Sequence, residues 1–202
     1  MTNKIIGIQG DKLEKINISS DTSVFLAHEA QKLGYKIFYY TPSKLSIIKN
    51  KTYANGVFIK FNYEKKKFYK IYKKQKIDVE NLKFILIRQD PPFNSEYLIT
   101  TLMLDGLKKV KVINNPAAIR NVSEKLYSKY FIKYMPNTLF SNSIVEIKKF
   151  YKQNNSMIMK PINGYGGNQI HLIKNKFNKK LITNFLNKNG HSMFQKFLKN
   201  IS

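Results

Sequence analysis

The sequence predicts an α/β protein in two parts, with a parallel sheet at the centre of the first part and a boundary near residue 120. Three observations carry this. KIIGIQ (4–9), the helical-period segment DTSVFLAHEAQKLGY and KIFYY (36–40) follow one another as β-α-β, whose natural outcome is a parallel pair. KFILIRQDPPF (83–93) is an apolar strand running into adjacent prolines, which stop it and fix a rigid loop at its C-terminal end, where ligands sit in α/β sheets. MIMKPINGYGGNQIHLI (157–173) sets a lysine at the end of one apolar run, then three glycines, then a second apolar run.

The first helix is capped by Ser20 or Asp21 and ended by Gly34. LSIIKNKTYANGVFIKF alternates around Lys49 and Asn50, which suits a hairpin. The run from Lys65 to Lys76, interleaved with Phe68, Tyr69, Ile71 and Tyr72, reads as a solvated strand and turn, though it also resembles a basic-aromatic nucleic-acid surface. SEYLITTLMLDGLKK is a helix and VKVINNP a short strand. VSEKLYSKYFIKY reads as a helix capped by Ser123 and ending before Pro136. Beyond it come the strand NTLFS, the helix SIVEIKKFYKQ, the strands MIMK and QIHLI, the helix NKKLITNFLNK ending at Gly190, and the strand HSMFQKFL.

The 202 residues are 43% hydrophobic, enough for a real core. No window approaches the roughly eighteen unbroken apolar residues of a membrane span, and MTNKIIGIQG lacks the apolar core of a signal peptide; the expected compartment is the cytoplasm. Cysteine is absent, which removes disulfides, zinc-thiolate sites and cysteine nucleophiles, and His28, His171 and His191 form no ligand spacing. The net charge of +24 invites a nucleic-acid reading. The lysines, however, are spread over every segment, and Asn, Ile, Tyr and Phe are abundant too, which fits compositional drift toward AT-rich codons; no specific nucleic-acid partner is expected. Against so many lysines the two arginines, Arg88 and Arg120, stand out as candidates for bidentate roles.

The glycine segment fits neither familiar phosphate loop. A P-loop places its lysine after the glycines, whereas Lys160 precedes them, and a Rossmann fingerprint wants a glycine where Gln169 stands. What remains is a hairpin loop in which Gly166 and Gly167 let backbone N–H groups approach an anion while Lys160 supplies positive charge. It can close over a triphosphate or be a flexible hairpin without ligand. Lys125 is a second phosphate candidate, and MFQKFL offers backbone groups to an adenine edge.

The stretches INISSDTS with EAQKLGY, ILIRQDPPFNSEYLITT, INNPAAIRNVSEKLYS, MIMKPINGYGGNQI and, more weakly, MFQKFL occur in an order and spacing that resembles the prokaryotic glutathione synthetases, members of the ATP-grasp ligases. The resemblance implies a Rossmann-like pre-ATP-grasp domain over residues 1–122 and the first lobe of an ATP-grasp domain over 123–202. It implies ATP-dependent joining of γ-glutamylcysteine and glycine through an acyl phosphate, giving glutathione, ADP and phosphate, with Mg2+ between the phosphates. By the same resemblance Lys125 and Lys160 bind phosphates, Gly164, Gly166 and Gly167 form the loop over them, and Gln195, Lys196, Phe197 and Leu198 form the adenine strand. Lys196 and Phe197 stand where the family more usually has asparagine-tyrosine. Arg88 and Asp90 sit on the peptide-substrate side, where Arg88 either recognises a carboxylate or pins the Pro-Pro loop through an ion pair; Arg120 is structural. The family also suggests a homotetramer. Its magnesium ligands lie beyond the position of Ser202 and no Glu-x-Asn pattern replaces them, so the expectation is a chain with half of an ATP clamp, no metal ligand or catalytic residue of its own, and no turnover in isolation. The alternatives are another ATP-grasp carboxylate-amine ligase and, in a different class, a basic nucleic-acid-binding module.

Overall fold

The computed structural model describes residues 4–62 and 67–199. The chain divides into two compact units, Met1–Asn121 and Val122–Ser202.

In the first unit, β1 (Ile5–Gln9), α1 (Thr22–Lys32) and β2 (Lys36–Tyr40) form the expected β-α-β, with Ile6 opposite Ile37 in a parallel ladder. Asp21 is the cap: its carboxylate accepts the Ser23 N–H at 2.6 Å. The sheet continues in parallel from β1 to β6 (Phe84–Ile87) and on to β7 (Lys111–Ile113). On the other side it turns antiparallel, because β3 (Leu45–Ile48) and β4 (Lys51–Phe61) form the hairpin around Lys49 and Asn50, both of which adopt positive φ. The sheet is therefore mixed, with a parallel centre of β2, β1, β6 and β7 and an antiparallel flank. β5 (Tyr69–Asp78) pairs with β4 as the outermost strand, and its residues 70–76 are all exposed. The strand and turn expected over the basic run are thus seen in part; Lys65 and Lys66 lie outside the described residues.

Alternate residues of the central strands feed two cores, one on each face. Phe38 and Tyr40 join Ile85, Ile87 and Leu104 on the face covered by α2 (Ser95–Met103). Ile37 and Tyr39 join Ile6, Ile8, Val24 and Ala27 on the face covered by α1. Burial on both faces is why these strands read as nearly continuous apolar runs. The structure adds a short helix, α3 (Pro116–Asn121), that the sequence reading did not assign.

The second unit is a four-stranded antiparallel sheet ordered β10-β9-β11-β8, from β8 (Thr138–Ser141), β9 (Ser156–Pro161), β10 (His171–Lys174) and β11 (Ser192–Lys196). α4 (Ile144–Asn154) and α5 (Lys179–Asn189) pack on one face through Ile147, Phe150, Ile182 and Phe185 against Met157, Met159, Ile173 and Phe194. Two expectations fail here. The helix expected after Ser123 is a turn at residues 124–126 followed by a 3-10 segment, Tyr127–Tyr134, broken at Phe131 (φ −118°, ψ 23°). None of its residues is buried, so its aromatic-rich sequence, a poor intrinsic helix former, receives no packing to hold it in α geometry. The last strand also stops at Lys196, leaving Phe197 and Leu198 beyond it.

Candidate functional site

In the second unit β9 and β10 form the expected hairpin, His171 opposite Met159, and the glycine segment spans its tip. Alternation along β9 sends Met157 and Met159 into the core and leaves Ile158 and Lys160 on the sheet face away from the two helices. Gln195 lies opposite Ile158 on β11, on that same open face. The Lys160 ammonium donates to Gln195 Oε1 at 2.7 Å, and the other end of that amide, Nε2, donates to Thr138 Oγ1 at 3.0 Å. A polar chain therefore crosses the face from β9 through β11 to β8 and fixes the lysine at the root of the loop.

Lys125 reaches the loop from outside the sheet, although it stands in a turn and not in the expected helix. Its ammonium donates to the Gly164 carbonyl and lies 3.6 Å from the carboxylate of the exposed Glu124. Partial burial, together with the Lys125 charge, holds Lys160 below the ordinary lysine range. Two cations thus converge on one glycine hairpin, an arrangement that an incoming anion would relieve.

The three glycines differ. Gly166 and Gly167 have φ of +59° and +72°, the left-handed region that other residues enter at a cost. A Cβ on Gly164 would instead lie 2.4 Å from Pro161 Cγ. At the end of β11 the N–H groups of Lys196 and Phe197 donate to Asn137 O (2.8 Å) and Ser156 O (3.4 Å), so these two donors are engaged in holding the strand end.

In the first unit Arg88 and Asp90 follow β6 at the C-terminal edge of the parallel strands. The Arg88 guanidinium donates to Ser23 Oγ at 3.0 Å and Thr22 Oγ1 at 2.7 Å, at the start of α1. Among the described residues it forms no ion pair, so the alternative of an ion pair pinning the Pro-Pro loop is replaced by two hydroxyl contacts. Arg120, by contrast, pairs with Asp105. The Asp90 N–H donates to the Asp11 carboxylate at 2.8 Å, and Tyr39 donates to the Asp11 carbonyl at 2.6 Å. Burial, then Asp11 and Asp21, raise the Asp90 carboxyl above its usual range, with Arg88 opposing. Gln9 and Gln89 are buried beneath and hydrogen-bond to each other side chain to side chain, leaving Gln9 Oε1 without a partner. The sequence reading missed Gln9, Asp11, Thr22, Ser23 and Thr138; for Gln9 and Asp11 the available signal was polar residues placed at the end of an apolar strand.

The family model described as prokaryotic glutathione synthetase, N-terminal domain, matches residues 5–120, and that described as prokaryotic glutathione synthetase, ATP-grasp domain, matches residues 124–202. A glutathione synthetase of Mesorhizobium japonicum is 36% identical over 163 residues, covering 80% of this chain and 52% of that protein. One of Wigglesworthia glossinidia brevipalpis is 35% identical over 201 residues, covering 97% and 63% respectively. The chain therefore spans about half to two-thirds of the length of these relatives. Among solved structures, a RimK domain ATP-grasp protein of Sphaerobacter thermophilus aligns with a TM-score of 0.60 at 12% identity, over 96% of this chain and 64% of that one. D-alanyl-alanine synthetase A of Vibrio cholerae aligns with 0.57 at 15%, over 98% and 60%. At such identities these two establish a common fold alone. The two family matches cover both units from residue 5 onward, and the chain belongs to the prokaryotic glutathione synthetase family.

Proposed function

We propose that this chain carries the peptide-side domain and one nucleotide-binding lobe of a glutathione synthetase, which joins γ-glutamylcysteine to glycine at the expense of ATP. The observation that carries the reading is the convergence of Lys125 and Lys160 on the glycine hairpin. Their charges and the loop fit a polyphosphate: Lys160 is fixed at the root by Gln195, and Lys125 can exchange the Gly164 carbonyl for a phosphate oxygen of higher charge. Gly164, Gly166 and Gly167 allow the loop backbone to approach the phosphates. Gln195, Lys196, Phe197 and Leu198 form the segment beside which the base would lie. Bound ATP would supply the phosphoryl group that activates a substrate carboxylate; the residues of this chain contribute binding, orientation and charge neutralisation.

In the first unit, Arg88 offers a guanidinium held by two hydroxyls, suited to a substrate carboxylate, and Asp90 an acceptor for a substrate donor. Mg2+ belongs to the family chemistry. Among the described residues no three acidic or histidine side chains group as metal ligands; they do not fit a metal cage, and no step is routed through the ion. A cytoplasmic setting and a homotetramer accompany the proposal on the strength of the family resemblance. Among the described residues no helix is long and apolar enough to cross a membrane.

The test is hydrogen exchange of the full chain with and without ADP. Amides of residues 162–170 should gain protection with ADP, and Lys160→Ala should abolish that gain. Protection that survives Lys160→Ala, or that never develops at this loop, would refute the assignment.

A further inference from the structure

Behind the sheet, on the side away from Lys160, a cavity of about 660 Å³ opens between α4 and the start of α5. That volume lies within the ~300–1,000 Å³ range of small-molecule sites. Successive turns of α4 place Val145, Lys148, Lys149 and Lys152 along it, and Phe177 and Lys179 close the other side. The Phe177 ring is half-buried and rests against Tyr151 with centroids 5.6 Å apart, so the cavity has an apolar floor and a cationic rim.

The rim is short of counter-charge. Glu124 and Glu146 are the only acidic side chains in the sequence from Val122 to Ser202. Glu146 is engaged by Lys149 at 2.9 Å, and Glu124 lies 3.6 Å from Lys125 at the glycine hairpin. Among the described residues no side-chain carboxylate of this unit remains for Lys148, Lys152 and Lys179. The first turn of α5 carries Lys179 and Lys180 with no acidic residue, opposite to what the helix dipole favours. Like charges have thus been gathered around an apolar concavity without compensation inside the unit.

We propose that this cavity is a second ligand site, for a small phosphorylated compound carrying a planar ring, with Lys148, Lys152 and Lys179 on the phosphates and Phe177 with Val145 under the ring. The site is independent of the nucleotide reading of the glycine hairpin, whose Lys160 lies on the opposite face of the sheet.

Because the whole chain is cationic, the test needs a charge-matched control. Calorimetric titration of the full chain with ADP at ~0.15 M salt, where long-range attraction is largely screened, should resolve two classes of site. Lys148→Ala/Lys152→Ala should weaken one class by ~tenfold or more, and Lys160→Ala the other. Lys70→Ala/Lys74→Ala on the exposed β5 removes the same charge and should move either by less than ~twofold. Pyrophosphate, lacking the ring, should bind the cavity more weakly than ADP. The proposal is overturned if the β5 control weakens the same class equally, if pyrophosphate matches ADP there, or if the only class seen is one that Lys160→Ala removes. Loss of the hairpin class alone would count against the nucleotide reading and leave this one standing.

Discussion

Adding one methyl group at Gly164 tests the geometry of the hairpin most directly. A Cβ there would lie 2.4 Å from Pro161 Cγ and 3.4 Å from both Pro161 Cδ and its carbonyl oxygen. Ordinary carbon contacts lie near ~3.5–4.0 Å, so roughly 1 Å of displacement is required. Pro161 ends β9, is buried and sits opposite Ser192 in the ladder, and its ring cannot swing aside as a flexible chain would. The loop has to move instead, drawing the Gly164 carbonyl away from the Lys125 ammonium. Overpacking of this kind costs about 1–3 kcal/mol. In a unit this small each kcal/mol lowers Tm by roughly 4–8 °C. Gly164→Ala should therefore melt earlier and lose affinity for ADP at the hairpin. Pro161→Ala removes the obstructing ring atom, so the double variant should recover part of the loss. A double-mutant cycle followed by thermal unfolding should give a coupling of ~0.5–3 kcal/mol. A Gly164→Ala protein that melts with the wild type, or a cycle with no coupling, would refute the steric argument.

On the proposed reading, Arg88→Lys retains the charge but cannot reach two hydroxyls in a planar fork, so binding of γ-glutamylcysteine, followed calorimetrically, should weaken by about tenfold; unchanged affinity would remove Arg88 from the proposed substrate site. Phe194→Ala empties a fully buried position between the sheet and its helices and should destabilise the second unit by about 3–5 kcal/mol in urea unfolding; a loss under ~1 kcal/mol would contradict that packing. The carboxyls of the first unit divide by sign. Glu80 is held below the usual range by the Lys108 and Lys109 N–H groups and Asp105 by Arg120, so their contribution is present above the unfolded carboxyl pKa and fades as pH falls through their lowered values. Asp90 is raised, so its contribution is present at low pH and is lost as pH rises past the unfolded value toward the folded one. Accordingly Glu80→Gln should flatten the acid limb of a stability-pH profile, and Asp90→Asn should stabilise the fold near neutrality and not in acid; the opposite pattern would reverse the assignment of these two environments.

Much of the fold was legible because local chemistry and tertiary packing agree. Lys49 and Asn50 stand where a two-residue turn needs positive φ, Asp21 where α1 needs an acceptor, and the double-sided strands announce themselves as unbroken apolar runs. The errors fall where packing decides. YSKYFIKY has a helical pattern of apolar residues, yet none is buried, and periodicity alone does not reveal whether a neighbour covers the face. MFQKFL reads as one strand, but the ladder ends at Lys196. At the candidate sites Lys160 and the glycines stand out in sequence because their spacing is local. The contacts that give them meaning, Lys125 to Gly164 across 39 positions and Lys160 to Gln195 across 35, are products of the fold. The same holds for Arg88, whose hydroxyl partners lie more than sixty residues earlier in the chain.

The outermost strand β5 bears on how this protein behaves at high concentration. Among the described residues β5 pairs with β4 alone, and a long strand with one open hydrogen-bonding edge is a template on which a second molecule can add its own strand, the first step toward aggregation. Lys70, Lys73, Lys74 and Lys76 are exposed along that strand, and two copies approaching edge to edge would bring eight ammonium groups into one neighbourhood. The lysines that contribute to so high a net charge thus act here as a guard against self-association. That guard is electrostatic, so it weakens as salt rises, and acylation of those amines would remove it.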